Sequence, residues 1–201
     1  MMGMAIVRFI LNMIFYGLLR LRVVGAENIP AERAVIMASN HKSYWDPPLV
    51  GIACRHRLVH FMAKSELFKN PVFGGAIRWC GAFPVHRGRV DRQSIKTALT
   101  LLRQGEVLGI FPEGTRIRRE GLGKFHSGVA SLAFLTGTSI LPVAVLHSRE
   151  LPFTLKRPVV LIGEPIEVEK QKPSDEAAAE LTALVKSRME ALIADYQKKA
   201  L

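Results

Sequence analysis

A histidine and an aspartate five residues apart, His41 and Asp46, are the pattern in this sequence best suited to chemistry. A histidine can take a proton from an alcohol in a transition state, which typically contributes about 10²–10⁴-fold in rate. A carboxylate on the other ring nitrogen fixes the tautomer and stabilises the imidazolium that forms. The pair therefore predicts acid/base catalysis in which a substrate hydroxyl is the nucleophile. The alternative is structural: Asp46 caps a helix, and His41 is a polar residue with satisfied hydrogen bonds.

The residues around the pair indicate how it is held. Residues 34–39 form an apolar run that predicts a short buried strand. The Asp-Pro-Pro sequence that follows favours a helix with Asp46 as its N-cap and Pro47 in the first position. Two residues five apart on a regular α-helix point about 140° apart around the axis. Contact between His41 and Asp46 therefore requires the residues between them to fold back as a turn.

The alternation of strands and helices along the chain indicates the fold. Strands are predicted at 34–39, 58–63, 82–87, 107–111, 140–146 and 159–162. Helices are predicted at 71–80, at 91–103 with Asp91 as a cap, at 127–136 and from 173 onwards. Such alternation is typical of an α/β fold, here a single domain whose largely parallel or mixed central sheet is flanked by helices. Ligands of these sheets bind beyond the carboxyl ends of the strands. Because His41, Arg87 and residues 113–116 each follow a strand, we expect them in one site.

The first 24 residues predict a membrane-associated amphipathic helix that precedes a domain of residues 25–201. Residues 4–19 are nearly all apolar, and the polar side chains fall at i, i+4 spacing, on one face: Arg8, Asn12, Tyr16 and Arg20. The apolar span is shorter than the roughly 20 residues that cross a bilayer, so a helix lying in the membrane interface is favoured. The alternatives are a cleaved signal peptide and a helix docked on the protein's own core.

The composition favours an anionic partner. The 201 residues carry a formal net charge of +11, and 49% of them are hydrophobic. A basic, apolar-rich chain suggests an anionic membrane surface or phosphate-bearing substrates, with nucleic acid as an alternative. The two cysteines, Cys54 and Cys80, form neither a disulfide framework nor a metal-binding spacing, so no metal site is expected.

Two basic stretches, residues 86–89 and 116–119, suggest phosphate binding. Arginine suits bidentate phosphate recognition, and Arg87 and Arg116 come directly after predicted strands. Glu113 lies among these cations, where it either pairs with them or accepts a hydrogen bond from a substrate hydroxyl. The sequence lacks a GxGxxG after a strand, a P-loop and a GxSxG elbow.

The order of these motifs resembles the glycerolipid acyltransferase family, and within it the 1-acylglycerol-3-phosphate acyltransferases of the bacterial type. The motifs are NHxxxxD at 40–46, VHR at 85–87, FPEGTR at 111–116 and ILPV at 140–143. The resemblance covers about residues 34–146, and FPEGTR after NHxxxxD at this separation is its most specific part. One departure is His126, where the family often has a lysine.

The resemblance implies a role for each matching residue. His41 would be the general base and Asp46 its orienting partner. The residues implied to bind the substrate are Arg87, Arg116 and Lys64, which would contact phosphate, and Glu113, Gly114 and Thr115, which would shape the acceptor pocket.

The function that the resemblance implies is acyl transfer in phospholipid biosynthesis. A fatty acyl group would move from acyl-CoA or acyl carrier protein to the sn-2 hydroxyl of lysophosphatidic acid, giving phosphatidic acid. We expect no cofactor other than the acyl thioester co-substrate, no nucleic acid, and attachment to the cytoplasmic face of the cell membrane. The alternatives are a related acyltransferase that uses glycerol 3-phosphate or another lysolipid, and a basic module that binds membranes or nucleic acid.

Overall fold

The computed structural model describes residues 9–86, 91–154 and 156–200. The strands are β1 Arg22–Val24, β2 Val35–Ser39, β3 Val59–Lys64, β4 Phe83–Val85, β5 Val107–Ile110, β6 Ile140–Leu146 and β7 Val159–Ile162. The helices are α1 Asp46–Ala53, α2 Pro71–Trp79, α3 Arg92–Arg103, α4 Gly128–Thr136 and α5 Asp175–Ala200. Short 3₁₀ turns cover Ala26–Asn28 and Ser65–Phe68, and a π-helix covers Met13–Leu18.

The described strands form one sheet in the order β1-β7-β6-β2-β5-β3-β4. Five of its six pairings are parallel, and only β6 with β7 is antiparallel. The predicted α/β fold with a largely parallel sheet is confirmed. Pro84 lies in the edge strand β4, where the missing N–H interrupts no interior ladder.

The sheet is covered on both faces, because alternate residues of its central strands point to opposite sides. Val35 and Met37 of β2 pack with α1, whereas Ile36 and Ala38 pack with α3, α4 and α5. All five residues of β2 are buried. The continuous apolar run at 35–39 is therefore explained by burial on both faces, which is typical of parallel sheets.

Helix α1 begins at Asp46, so Trp45 occupies the N-cap position, and the prediction that Asp46 is the N-cap is wrong by one residue. The physical reason lies in the direction of the carboxylate. Asp46 Oδ2 accepts hydrogen bonds from the preceding backbone amides of Lys42 and Ser43, instead of from the first turn of the helix. The side chain therefore closes the loop before the helix.

The N-terminal segment differs from the regular helix predicted for it. Residues 9–12 are α-helical, but the wider π-helix Met13–Leu18 follows, and Arg20 has a left-handed φ of 56°. The i, i+4 polar stripe is therefore lost after Asn12, while Arg8 lies outside the described residues. Within the described part of the chain, no helix combines the length and the apolar character that crossing a bilayer requires.

The same segment is docked on the core along one side only. Phe15 is 1% exposed and meets the Trp45 ring edge-on, with 6.1 Å between the centroids. The opposite side leaves large apolar side chains exposed, namely Phe9, Ile10, Met13, Ile14 and Leu18. Strand β1 then joins the sheet beside β7; it was not predicted, since three residues are too few to show an alternating pattern.

Candidate active site

His41 and Asp46 meet in the loop between β2 and α1. His41 Nδ1 lies 2.9 Å from Asp46 Oδ2, and the side chains are 11% and 0% exposed. Asp46 Oδ2 also accepts the backbone N–H groups of Lys42 at 2.6 Å and Ser43 at 2.7 Å. The predicted turn is thus present, and one carboxylate oxygen holds both the imidazole and the loop that carries it. Among the described residues, His41 Nε2 has no hydrogen-bond partner.

The imidazole plane is set by a stack of aromatic rings. The His41 ring lies 4.2 Å from the Phe111 ring at an interplanar angle of 22°, and Phe111 stacks in turn on Phe61 at 5.8 Å. Gly109 makes this stack possible, because a Cβ atom there would lie 2.2 Å from the Phe61 ring. Stacking from one side and the Asp46 bond in the ring plane together fix the direction of Nε2.

Glu113 is 3% exposed and supports the loop that carries His41. Its Oε2 accepts the backbone N–H of His41 at 2.7 Å, and its Oε1 accepts the backbone N–H of Gly123 at 2.7 Å. Among the described residues, Glu113 forms no ion pair with a cation, which was one of the two roles expected from the sequence. The carboxylate instead ties the loops after β2 and β5 together.

Asn40 extends the pairing of β2 with β6 beyond the end of the strand. Its side-chain amide donates to the Val145 carbonyl at 3.0 Å, and its side-chain oxygen accepts the Val145 N–H at 2.7 Å. These two bonds replace the backbone ladder where the chain turns away toward His41. The loop that carries His41 therefore starts from a point fixed to the buried strand β6.

Arg116 lies close to the backbone of His41. The next residue, Ile117, donates its N–H to the His41 carbonyl at 2.8 Å. The Arg116 guanidinium donates to the Tyr44 hydroxyl at 2.8 Å and lies 3.5 Å from the centroid of the Tyr44 ring. Tyr44 is itself 70% exposed, so this pair forms an open, cationic rim beside the His41–Asp46 pair.

Three of the remaining predicted site residues, Gly114, Thr115 and Lys64, lie at the same carboxyl end of the sheet strands. Gly114 and Thr115 are exposed in the loop after β5, and Gly114 has a φ of +66° that suits glycine. Lys64 ends β3, and its ammonium lies 3.1 Å from Glu66. A backbone hydrogen bond, with Lys64 as the next cause, lowers the pKa of the Glu66 carboxyl to about 2. Arg87 lies outside the described residues.

Lys42 adds a cation on the other side of the loop. Its ammonium donates to the carbonyls of Arg119 and Gly121. Burial is the main cause that lowers the pKa of Lys42, and the positive charges of Arg149 and Arg119 act in the same direction, against the carboxylates of Glu113 and Asp46. The loops after β2, β5 and β6 therefore bring their charges within range of one another.

A second pair with the same spacing, His86 and Asp91, provides an internal comparison. His86 Nδ1 lies 2.9 Å from Asp91 Oδ2, and the His86 side chain is 52% exposed. Asp91 is the predicted N-cap of α3 and accepts the N–H groups of Gln93 and Ser94. The backbone amide of His86, followed by its side chain, lowers the pKa of Asp91. This pair lies beside the edge strand β4, and no aromatic ring of the described residues stacks on His86 as Phe111 does on His41.

Three residues of the site had no role assigned from the sequence: Asn40, Tyr44 and Phe111. All three lie inside the motifs, which is the signal that could have found them. An asparagine directly after a buried strand is unusual enough to suggest a specific role. The same holds for the aromatic residue at the first position of the FPEGTR motif. In the described part of the chain, no group of three His, Cys, Asp or Glu side chains could hold a metal ion.

Comparison with known proteins identifies the family. Residues 20–146 match the Acyltransferase family. Over 176 residues the chain is 32% identical to the 1-acyl-sn-glycerol-3-phosphate acyltransferase of Bacillus subtilis (strain 168), covering 85% of this chain and 87% of the relative. It is also 32% identical over 151 residues to the enzyme of that name from Streptococcus pneumoniae, covering 74% of this chain and 56% of the relative.

A solved structure agrees with the sequence relatives. The crystal structure of the 1-acyl-sn-glycerophosphate (LPA) acyltransferase PlsC from Thermotoga maritima superposes with a TM-score of 0.68 at 30% identity. The match covers 87% of this chain and 72% of that one. Since the family match spans more than half of the chain and includes the whole His41–Glu113 site, the chain belongs to the Acyltransferase family and is an O-acyltransferase.

Proposed function

We propose that this enzyme is a 1-acylglycerol-3-phosphate acyltransferase that uses His41 as its general base. The observation that carries the proposal is the buried His41–Asp46 pair, with Nδ1 bound to the carboxylate and Nε2 without a partner among the described residues. The names of the bacterial relatives support lysophosphatidic acid as the acceptor. The product would be phosphatidic acid.

In the proposed reaction, His41 Nε2 takes the proton of the sn-2 hydroxyl as its oxygen forms a bond to the thioester carbonyl carbon. Asp46 stabilises the imidazolium that results, and its bond to Nδ1 selects the neutral tautomer in which Nε2 is the proton acceptor. The carbon–sulfur bond of the tetrahedral intermediate then breaks, and the thiolate takes the proton from the imidazolium. No acyl-enzyme is formed, and the reaction needs no metal or cofactor besides the acyl-CoA or acyl carrier protein that donates the acyl group.

The acceptor phosphate would bind on the β5 and β3 side of the base. Arg116 is supported in this role by its place one residue from the backbone contact with His41. Lys64 at the end of β3, and Arg87, would add further cations, while the exposed Gly114 and Thr115 would form the floor of the pocket. Glu113 acts as a positioning residue, because both of its oxygens hold backbone amides.

The proposed substrates imply work at a membrane surface, and we place the enzyme on the cytoplasmic face of the cell membrane. The exposed side of the N-terminal segment, with Phe9 65%, Met13 61% and Leu18 76% exposed, supports an interfacial contact. Helix α2 adds Val72 at 82% and Phe73 at 51% exposure. The net charge of +11 favours anionic lipids.

The first test compares two histidine variants in acyl transfer from a labelled thioester to lysophosphatidic acid in detergent micelles. His41→Ala should lower turnover by at least about 10²-fold, since it removes the general base. His86→Ala is the matched control, because it removes a histidine bound to an aspartate in the same geometry, and it should retain turnover. Wild-type activity in His41→Ala would contradict the mechanism.

Competing acceptors in the same assay test the substrate. His126 follows the FPEGTR turn, and its ring lies 3.4 Å from the position of a Cβ on Gly114. Because the family often has a lysine at this position, glycerol 3-phosphate and other lysolipids are alternative acceptors. A product formed from one of these in preference to lysophosphatidic acid would change the acceptor and keep the chemistry.

A further inference from the structure

A cationic cleft lies outside the residues assigned to catalysis. It has a volume of about 360 Å³ and is lined by Arg22, His147, Lys156, Arg157, Val159 and Tyr196. Three of these six residues are arginine or lysine, one is a histidine, and none is acidic. Arg22 and Val159 belong to the sheet and Tyr196 to α5, while the other three lie in the connection between β6 and β7.

The cleft lies at the end of the sheet where β2 ends, which is also the end at which His41 lies. Leu146 at the end of β6 pairs with Val159 at the start of β7, and Val159 pairs with Arg22 at the start of β1. Strand β6 lies directly beside β2 and runs parallel to it. With about 4.8 Å between neighbouring strands, a group in the cleft is roughly 10–15 Å from the end of β2.

The loop after β6 connects the cleft with the catalytic loop. His147, at the first position of this loop, has a left-handed φ of 59°, a conformation that few non-glycine residues adopt. Two residues later, the charge of Arg149 is close enough to lower the pKa of Lys42, the neighbour of His41, although burial is the larger cause. On the far wall, the Arg22 guanidinium lies 5.6 Å from the centroid of the Tyr196 ring, which holds it at the cleft.

We infer that this cleft binds the phosphate-bearing end of the acyl thioester donor; the inference rests on the proposed function. In both candidate donors, the thioester sulfur is joined to a phosphate through a pantetheine arm. That arm contains about thirteen bonds, so it spans roughly 15 Å when extended. A phosphate in the cleft therefore allows the thioester carbonyl to reach His41.

In this arrangement the two substrates would bind on opposite sides of β2. The proposed acceptor contacts, Arg116 and Lys64, follow β5 and β3 on one side of β2, whereas the cleft adjoins β6, β7 and β1 on the other. The base lies between the two sides. Five of the six lining residues, all except Arg22, lie beyond residues 20–146, the part of the chain that matches the family. The family match therefore assigns no role to them.

The test combines a change in the enzyme with a change in the donor. The double variant Lys156→Ala/Arg157→Ala removes two exposed cations of the cleft, and each enzyme is assayed with acyl-CoA and with S-acyl-pantetheine, which lacks phosphate. We expect kcat/KM for acyl-CoA to fall about 10- to 100-fold, in line with the loss of charge-assisted hydrogen bonds, while kcat/KM for S-acyl-pantetheine changes less than about twofold.

The matched control is Lys96→Ala/Arg103→Ala, which removes the same charge from exposed positions of α3 and should leave both donors unaffected. An equal loss with both donors in the cleft variant would indicate a structural effect and would overturn the inference, as would no loss with either. Failure of the wild-type enzyme to transfer from any donor would remove the proposed function itself and this inference with it.

Two further arms identify what the cleft recognises. Acyl carrier protein is the third donor: a loss with it as well as with acyl-CoA assigns the cleft to the phosphate that the two donors share, and a loss with acyl-CoA alone assigns it to the nucleotide phosphates. Binding of the variants to vesicles of anionic phospholipid is measured in parallel. Weakened vesicle binding with unchanged donor kinetics would make the cleft a lipid site and overturn the inference.

Discussion

At the scale of single residues, the chain contains two histidine–aspartate pairs with the same spacing and the same 2.9 Å contact. Their surroundings differ. His41 is enclosed by Phe111 and next to the central strand, whereas His86 is half exposed at an edge strand, and its partner Asp91 also caps α3. Water screens an exposed pair and lets its imidazole rotate, so of these two pairs only the enclosed one holds its imidazole in a fixed direction.

The charge of Asp46 is expected to matter for turnover more than for binding. In Asp46→Asn, the side-chain oxygen can still accept the amides of Lys42 and Ser43, but the imidazolium loses its counter-ion. We expect kcat to fall about 10²–10⁴-fold with little change in the acceptor KM. Steady-state kinetics, with thermal unfolding to confirm the fold, measure this.

Asp91→Asn is the control for that substitution, because it makes the same chemical change in the second pair. A comparable fall in kcat in both variants would show that enclosure is not what distinguishes the pairs.

At the scale of elements, the site depends on how β2 ends. Its last residue is Ser39, and Asn40 then completes the pairing with β6 through its side chain, so the backbone can leave the sheet without exposing the buried Val145 amide and carbonyl. A loop that begins in this way starts from a fixed point. The geometry of the His41–Asp46 pair therefore depends on a residue outside the pair.

Asn40→Ala is expected to lower the free energy of unfolding by about 2–4 kcal/mol, because it leaves two buried backbone groups of Val145 without partners. Urea unfolding followed by circular dichroism measures the change. Asn70→Ala serves as the comparison, since it removes an exposed helix cap at the start of α2 and should cost only about 1 kcal/mol. Equal effects of the two substitutions would argue against the bridging role of Asn40.

The N-terminal segment carries the proposed membrane contact, and its exposed side can be changed without touching Phe15. We expect Phe9→Ser/Met13→Ser/Leu18→Ser to weaken binding to anionic vesicles at least about tenfold, because apolar area no longer enters the interface. Vesicle co-sedimentation gives the affinity.

A single change elsewhere on the surface provides the reference for that experiment. Phe153 is 94% exposed and belongs to neither the N-terminal segment nor α2, so Phe153→Ser should leave the affinity unchanged. Unchanged affinity in the triple variant would place the membrane contact outside the N-terminal segment.

At the scale of the whole molecule, the strand order explains why distant motifs form one site. The two central neighbours β2 and β5 are parallel, so the loops that follow them, at residues 40–45 and 111–127, meet at one edge of the sheet. The hydrogen bonds from Ile117 to His41 and from His41 to Glu113 are the direct result. His41 and Glu113 are 72 positions apart in the sequence, and the pairing of β2 with β5 brings them into contact.

Several elements of the fold, and the family, were determined by the amino-acid sequence alone. The limits of β6 and β7 agree with the predicted runs, and Asp91 caps α3 as predicted, because local periodicity and capping chemistry suffice for such elements. The motif order also sufficed for the family. A turn between His41 and Asp46 was predicted for the case that the two side chains meet, because a regular α-helix would point them about 140° apart.

Only the tertiary structure decided the rest. Strand order, the bracing of His41 by Glu113, the aromatic stack over Gly109 and the cationic cleft all depend on contacts between residues far apart in the chain. Local preferences carry no information about such contacts. The N-terminal segment shows the same limit, since its pattern predicted a regular helix, whereas burial of Phe15 beside Trp45 accompanies a π-helix. Packing against the core outweighs a periodicity worth only tenths of a kcal/mol per residue, about the range of helix propensity.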